Sequence, residues 1–342
     1  MKEKMTLKWE MGTAPAEKVK WVLGNTAERI SERTDGELSI ELHGVEFVPD
    51  NELVNAVASG KLDMASFAYT GGVGPVIFPH CNVSSLPCWL NGEAGSAFTK
   101  ALVDKYVKSE MEAFGVTPIA LEINSAYDFG YFTAPYLCQV WSNKMFTSLK
   151  EAAGARISAQ LVMSGDACSV IGMEPKIMTY AEMKPALAAD SLDGFLLPGI
   201  GPMFHTLDDL TPFCLKIDYP EAYDDFTIMN LKTYNSLPAD IRNIVIEEVH
   251  GWISKMDRAP MSTKGWEYNN ALVKAGKLSI IQLTPSDRAW CKQQWETKLV
   301  DIWIKKQIAA GFKDAKAYLD DVLNIRDSIL AKGLPLYPGE IL

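Results

Sequence analysis

A helix–turn–strand pattern that occurs twice is the feature of this sequence that most constrains its fold. The first copy reads ELVNAVASGKLDMASFA from Glu52, and the second reads EMKPALAADSLDGFLLP from Glu182. An aspartate, Asp63 or Asp193, stands eleven positions after the glutamate in each copy. Two similar units predict two similar domains, because each unit must bury its apolar face against a sheet of its own, and two facing domains predict a cleft between them.

The length and the charge of the chain agree with two globular domains. A single core stops growing at roughly 250–300 residues, whereas this chain has 342 residues, of which 48% are hydrophobic and 22% are charged. The formal net charge of −10 argues against a nucleic-acid partner, because phosphate binding needs clustered cationic groups. No apolar run reaches the ~20 residues that a membrane helix needs.

Motifs of catalysis and of metal binding are absent from the sequence. The four histidines lie far apart without the spacing H-E-x-x-H, and the six cysteines include no C-x-x-C pair. No G-x-S-x-G motif offers a serine nucleophile. We therefore expect no metal and no cofactor, and the absence favours binding over catalysis. A disulfide bridge between Cys81 and Cys88 stays an open alternative to two buried thiols.

Alternating strand and helix patterns predict an α/β fold. Strand patterns separated by amphipathic helical patterns occur at residues 7–11, 38–43, 62–67, 155–159 and 191–197. This order is typical of mostly parallel sheets that are covered by helices. The N-terminal residues MKEKMTLKWE reach the first strand pattern without an apolar signal segment. Either the protein is cytosolic, or a leader peptide has been removed.

No low-complexity linker divides the chain, so we expect the two domains to be interwoven by several crossings. We predict that domain I comprises residues 1–125 and about 215–252. Domain II is predicted to comprise residues 126–214 and about 253–342, with the C-terminal helices.

Two segments that follow predicted strands are candidates for a cleft. In open α/β sheets, ligands lie outside the carboxyl ends of the strands. The segment 69–75 begins with Tyr69 directly after a strand, and the segment 124–133 carries Tyr127 and Asp128 where we expect the chain to cross between domains. These two segments therefore predict one wall of a ligand site.

The residues of six segments resemble those of a known family. In chain order they are MGTAPAEKVKWVLGNTAERISERTDGELSIELH, ELVNAVASGKLDMASFA, the dipeptide Leu86-Pro87, SLKEAAGARIS, YAEMKPALAADSLDG and YNSLPADIRNIVIEEV. Together they resemble the solute-binding component of a tripartite ATP-independent periplasmic (TRAP) transporter. The resemblance implies a periplasmic-binding-protein fold, with two α/β domains joined by crossing strands and by a long helix that spans both.

The resemblance also implies the function. It implies that a small organic ligand is captured in the cleft by domain closure and is delivered to TRAP membrane permease subunits, without enzymatic activity. It implies a periplasmic location, which agrees with a removed leader. We expect a monomer.

Two positions depart from the family pattern G-x-K-I-R and D-G-x-E-N-P. The first motif reads Gly-Ala-Arg-Ile-Ser here, so that Ser158 replaces the arginine that forms a paired salt bridge with the ligand carboxylate. The second motif places Leu197 where the family has an asparagine. Arg156, which stands where the family has a lysine, is an alternative basic group that could take over this role.

The predicted site is consequently aromatic and apolar in character, with one acidic group. It comprises Trp9, Tyr69, Trp89, Tyr127, Asp128, Ser158, Tyr180, Phe195 and Leu197. We predict a ligand that is neutral, aromatic or amine-bearing, which stacking and hydroxyl or carboxylate acceptors would hold. The alternatives are a carboxylate ligand held by a relocated basic group such as Arg156, an enzyme that uses Asp128 or a tyrosine as acid or base, and a ligand sensor.

Overall fold

The computed structural model describes most of the chain. The described residues are 4–12, 15–68, 78–81, 86, 92–121, 137–159, 162–178, 180–199, 201–204, 207–220, 225–255 and 258–333. The strands are β1 Met5–Met11, β2 Leu38–His43, β3 Met64–Ala68, β4 Val116–Leu121, β5 Leu137–Ser142, β6 Arg156–Ala159, β7 Glu174–Ile177, β8 Gly194–Pro198, β9 Phe213–Pro220, β10 Asp225–Asn230 and β11 Ser279–Gln282.

Helices connect these strands, and three more helices follow β11. They are α1 Ala16–Arg33, α2 Leu53–Ser59, α3 Gly92–Leu102, α4 Lys108–Phe114, α5 Leu149–Ala152, α6 Val162–Val170, α7 Tyr180–Ala188, α8 Gly201–Phe204, α9 Leu231–Ser236, α10 Ala239–Lys255, α11 Arg258–Lys274, α12 Pro285–Gln294, α13 Val300–Ala309 and α14 Ala315–Leu330. Turns of π-helix join α3 to α4 and α12 to α13.

The strands form two sheets, each with one antiparallel strand in an otherwise parallel arrangement. The first sheet has the order β2-β1-β3-β10-β4, in which β10 runs antiparallel to both neighbours. The second has the order β11-β9-β5-β8-β6-β7, in which β5 runs antiparallel to both neighbours. Both antiparallel strands are the first described strand after the chain passes from one sheet to the other. The prediction of two α/β domains joined by crossing strands is therefore confirmed.

The repeat that opened the sequence analysis has the same geometry in both sheets. In the first sheet, the Lys8 backbone N–H donates to Oδ2 of Asp63 at 2.9 Å, and the Asp63 N–H donates to the Lys8 carbonyl at 3.1 Å. In the second, the Arg156 N–H donates to Oδ2 of Asp193 at 2.8 Å, and the Asp193 N–H donates to the Arg156 carbonyl at 2.9 Å. Each aspartate thus fixes its own strand against the neighbouring parallel strand.

Helices from the end of the chain pack on both sheets. Ile241 and Val245 of α10 lie in the core of the first sheet, which also contains Trp9. Leu272 of α11 packs against the cluster of the second sheet around Phe195. The last helix, α14, belongs to the cluster that contains α2, where its residues Tyr318, Leu319 and Val322 are buried.

Local turns set the ends of α2 and α12. A short 3-10 turn, Asp50–Glu52, precedes α2, which begins at Leu53. The Thr284 hydroxyl accepts the Asp287 N–H at the start of α12, where Pro285 occupies the first helical turn. The α2 helix ends at Gly60, whose φ is +81°.

Candidate ligand-binding site

One face of the second sheet carries three of the predicted residues. The strands β6, β8 and β9 run parallel and therefore end at the same edge. Ser158 on β6 is paired with Phe195 on β8, and Leu197 follows two positions later on the same face. Ile157 and Leu196 belong to the core cluster on the opposite face. Period-two alternation thus places Ser158, Phe195 and Leu197 on one face of the sheet.

Ser158 is a buried polar group without a partner. Its side chain is fully buried, and among the described residues its hydroxyl has no hydrogen-bond partner. Leaving a buried donor and acceptor unsatisfied costs about 1–3 kcal/mol. A hydroxyl at the carboxyl edge of a parallel strand is well placed to contact a molecule that is not part of the chain.

Phe195 and Leu197 line the same face with apolar surface. Both are buried in a cluster with Trp141 of β5 and Met183 of α7. The Trp141 indole N–H donates to the Leu197 carbonyl at 2.9 Å, which fixes the end of β8. Neither side chain can form a hydrogen bond, so an ionised carboxylate beside them would lose its hydration without gaining a partner.

Arg156 is held in a network of ion pairs at the other end of β6. Its Nε and Nη2 atoms donate to the two oxygens of Asp193 at 3.0 and 2.7 Å, and Lys144 donates to Oδ1 at 2.5 Å. The Arg156 guanidinium and then Lys144 hold the pKa of Asp193 well below its usual range, although burial opposes this. Arg156 is therefore already paired within the protein.

Trp9 lies in the core of the first sheet. Its ring is fully buried in a cluster with Leu7, and its indole N–H donates to the Ser66 hydroxyl at 2.9 Å. Ser66 is hydrogen-bonded in turn to Thr227 at 2.7 Å. The next residue, Glu10, is a fully buried carboxylate at the carboxyl end of β1, which sequence reasoning did not single out.

The remaining predicted residues cannot be placed relative to these. Tyr69, Trp89, Tyr127 and Asp128 lie outside the described residues. Tyr180 begins α7, and its backbone alone is described. Cys88 also lies outside them, so the bridge to Cys81 stays an alternative.

A buried lysine on the same face was missed by the sequence analysis. Lys216 lies on β9, where its side chain is 4% exposed. Its alternation with Leu215 and Ile217, which lie in the cluster on the opposite face, places it on the face of Leu197 and Trp141. A single lysine in the apolar run FCLKIDY is the signal that could have identified it.

An irregular pairing of β9 with β5 sets the position of Lys216. Val140 is paired with Leu215 and Cys138 with Tyr219, so that three residues of β9 lie opposite Gln139. Such a bulge redirects side chains and is frequent beside functional sites. The Gln139 amide donates to Asp218 at 2.9 Å and accepts the Asp218 N–H at 3.0 Å, which holds the bulge together.

Helix α11 covers this part of the face. The Trp266 ring centroid lies 5.6 Å from the Lys216 Nζ atom. A Cβ atom on Gly199, just after β8, would lie 2.6 Å from Trp266, so only glycine permits this approach. Asn269, one helical turn after Trp266, donates to the Gly199 carbonyl at 2.7 Å, and its fully buried Oδ1 has no partner among the described residues.

Neither a metal site nor a membrane helix is present in the described part of the chain. No group of three or more histidine, cysteine, aspartate or glutamate side chains could hold a metal ion there. No helix within the same residues is long and apolar enough to cross a membrane.

Comparison with known proteins identifies a family match over most of the chain. The sequence profile of DctP, described as bacterial extracellular solute-binding protein, family 7, matches residues 14–306. No curated protein matches the sequence.

Solved structures with a similar fold cover nearly the whole chain. A marine metagenome TRAP solute-binding protein specific for aromatic acid ligands, in complex with meta-hydroxyphenylacetate, is 17% identical and has a TM-score of 0.75 over 98% of this chain and 100% of its own. One from Rhodoferax ferrireducens with copurified benzoate is 18% identical, with a TM-score of 0.73 over 96% and 99%. One from Ralstonia eutropha with bound (S)-2-acetolactate is 20% identical, with a TM-score of 0.68 over 96% and 99%. At these identities the likeness shows the fold alone.

Proposed function

Because the chain belongs to the DctP family of bacterial extracellular solute-binding proteins, family 7, we propose that it captures a small organic ligand between its two domains and delivers it to a TRAP permease. The family and the fold are those of transport proteins and not of enzymes, which confirms the prediction on this point. The proposed location is the periplasm, where the protein acts as a monomer.

The part of the ligand that meets Ser158 and Leu197 is neutral, aromatic or amine-bearing. The single observation that carries this proposal is the pair of buried residues Ser158 and Leu197 at positions where an arginine and an asparagine would hold a carboxylate. A hydrogen bond to a charged group contributes about 1.5–3 kcal/mol, whereas a micromolar complex is stabilised by about 8 kcal/mol in all. A simple carboxylate in the usual position would lose a large part of this free energy.

The other predicted residues supply stacking surface and one negative charge. In this proposal Tyr69, Trp89, Tyr127 and Tyr180 surround the ligand, and Asp128 pairs with an amine if the ligand carries one. Structural relatives hold benzoate and meta-hydroxyphenylacetate, so the fold can accommodate an aromatic ring. This supports the aromatic class among the three.

A second candidate is a carboxylate ligand that is held by a relocated basic group. Arg156 is a poor donor for this purpose, since Asp193 already accepts hydrogen bonds from its Nε and Nη2 atoms. The specific observation that favours this candidate is instead the buried, weakly paired Lys216 on the same face.

Ligand screening tests the function and the ligand class together. Native mass spectrometry of protein purified without refolding is expected to show a bound small molecule. Isothermal titration would then compare dicarboxylates such as succinate with amines and with neutral aromatic compounds. Micromolar or tighter binding of succinate would contradict the proposed ligand class, whereas the absence of any small-molecule binding would contradict the proposed function.

A substitution at Ser158 tests whether this residue lies at the ligand. Ser158→Arg places a bulky cation in a fully buried position, and we expect it to weaken binding of the copurified ligand at least tenfold. The matched control is Ser191→Arg at an exposed position of the same domain, which should leave the affinity unchanged. Equal affinity in both variants would remove Ser158 from the wall of the site.

A further inference from the structure

The Lys216 side chain is almost fully buried, and its ammonium group has fewer close partners than a buried cation requires. Its side chain is 4% exposed, and the nearest carboxylate oxygen, Oδ1 of Asp218, lies 3.9 Å away. Within the described residues, the Nζ atom contacts this carboxylate and the Trp266 ring. An ammonium group carries three donors, and burying a charge is costly unless it is paired and hydrogen-bonded.

Asp218 forms a distant ion pair with this cation but no hydrogen bond, because its nearest oxygen lies 3.9 Å from Nζ. Its Oδ1 atom accepts a hydrogen bond from Gln139 at 2.9 Å, and its Oδ2 atom accepts one from Arg288 at 3.3 Å. The Trp266 ring, 5.6 Å from Nζ, stabilises the positive charge but accepts no conventional hydrogen bond. The hydrogen-bonding capacity of Lys216 is therefore available to a molecule from outside the chain.

The surroundings indicate which part of a ligand would fit. Lys216 lies two strands from Leu197, which corresponds to roughly 10 Å between backbones, and a lysine side chain spans much of that distance. Its neighbours on this face are the apolar Leu197 and Trp141 and the ring of Trp266. A ligand that places a ring or another apolar body against Leu197 can therefore extend an acidic oxygen towards Lys216.

We propose that Lys216 is the anion-binding residue of the ligand site, where it donates to a carboxylate or another acidic oxygen of the ligand beside Trp266. This inference rests on the proposed function and deepens its second candidate, a carboxylate ligand held by a relocated basic group. The expected ligands are aromatic or apolar acids. The buried Oδ1 atom of Asn269, one helical turn after Trp266, is an acceptor for a hydroxyl or amide group of the same ligand.

The competing explanation is that Lys216 is a structural residue, held by Asp218 and Trp266 alone. The two explanations differ in what Lys216→Met does. If Lys216 is structural, its replacement would lower the stability of the ligand-free protein, and ligand binding would not depend on the charge of the ligand. An anion-binding lysine would be dispensable for folding but required for acids.

A panel of acids and their uncharged amides separates these explanations. Titrations would use benzoate, 3-hydroxybenzoate and pyroglutamate, each compared with its amide, on the wild type and on Lys216→Met. The wild type is expected to bind at least one acid, and Lys216→Met should weaken that acid about tenfold to a hundredfold without changing the affinity for the amide. The matched control is Lys277→Met, at an exposed position before β11, which should leave both affinities unchanged.

The other outcomes separate the failure of this inference from the failure of the proposed function. If amides bind and acids do not, or if Lys216→Met leaves acid affinity unchanged, the anion site is refuted while solute binding stands. If Lys216→Met lowers the melting temperature of the ligand-free protein and leaves the affinities equal, the structural explanation is correct. If neither acids nor amides bind and no small molecule copurifies, the anion site and the proposed function both fail.

Discussion

Two basic side chains, Arg156 and Lys216, lie on the same face of the second sheet. They differ in their solvent exposure and in their pairing with carboxylates. Arg156 stands at the start of β6, is 31% exposed, and donates to both oxygens of Asp193. Lys216 stands on β9, is 4% exposed, and lies 3.9 Å from Asp218 and 5.6 Å from the centre of the Trp266 ring. The half-buried cation is hydrogen-bonded to a carboxylate, whereas the more deeply buried cation has its nearest carboxylate oxygen at 3.9 Å.

Proximity to a family motif in the sequence therefore does not identify which basic side chain is free to bind a ligand. Arg156 lies two residues from the position that holds the ligand in the family pattern, but its pairing with Asp193 maintains the link between β6 and β8. Lys216 belongs to no motif. Its burial costs free energy, which a ligand can recover by supplying the missing acceptor.

The largest effect is expected from removing the charge of Asp193. Asp193→Asn leaves Arg156 and Lys144 without their carboxylate, and we expect the free energy of unfolding to fall by about 2 kcal/mol because hydrogen bonds between charged groups are lost. Urea unfolding measures this change. Ligand affinity should stay the same, since the pair lies at the end of β6 opposite to the carboxyl edge.

Asp190→Asn is the matched control for this substitution. Asp190 is 75% exposed and lies 3.9 Å from the Arg156 guanidinium. Exposed pairs of this kind contribute about 0–1 kcal/mol, so the control should be close to the wild type. A loss of ligand affinity in Asp193→Asn without loss of stability would mean that Arg156, and not Lys216, serves the ligand.

The same pair predicts how stability depends on pH. The Arg156 and Lys144 side chains lower the pKa of Asp193 in the folded protein, so the unfolded chain takes up the proton first as the pH falls. The contribution of Asp193 is therefore complete well above its unfolded pKa of about 3.9 and is lost progressively below it. Urea unfolding of the wild type and of Asp193→Asn should show a difference at about pH 7 that shrinks towards about pH 3. A difference that grows on acidification would contradict this assignment.

Periodicity and turn residues were sufficient to predict most of the fold. The predicted strand over residues 38–43 matches β2. The repeated aspartates predicted two equivalent domains, and their hydrogen bonds to Lys8 and Arg156 explain why the pattern repeats. Local patterns succeed here because each element buries one regular face.

The site could be predicted only in part. Period two placed Ser158, Phe195 and Leu197 on one face, since they lie on two adjacent parallel strands. Lys216 could not be placed in the same way, because its position depends on the bulge opposite Gln139. That bulge is held by a hydrogen bond to Asp218 from a strand distant in sequence, and no local pattern encodes it.

A smaller effect, of opposite sign, is expected at Lys216. Lys216→Met replaces a buried ammonium, whose nearest carboxylate oxygen lies 3.9 Å away, with an apolar chain of similar length. We expect the free energy of unfolding of the ligand-free protein to rise by about 1 kcal/mol, because the desolvation cost of the charge disappears. Thermal and urea unfolding of ligand-free protein would measure it, and a clear loss of stability would show that Asp218 and Trp266 suffice to hold the lysine.

The smallest effect on stability is expected at Ser158. Ser158→Ala removes a fully buried hydroxyl that has no partner among the described residues. The relief of this unsatisfied group is largely offset by the small cavity that remains, so the free energy of unfolding should change by no more than about 0.5 kcal/mol and should not fall. Ligand affinity should nevertheless drop about fivefold to tenfold if the hydroxyl bonds the ligand. Ser164→Ala, at another buried serine of the same domain that does have a partner, is the matched control and should lose stability with no change in affinity. If Ser158→Ala destabilises the protein as Ser164→Ala does, the Ser158 hydroxyl stabilises the fold, and the ligand must contact residues closer to Lys216.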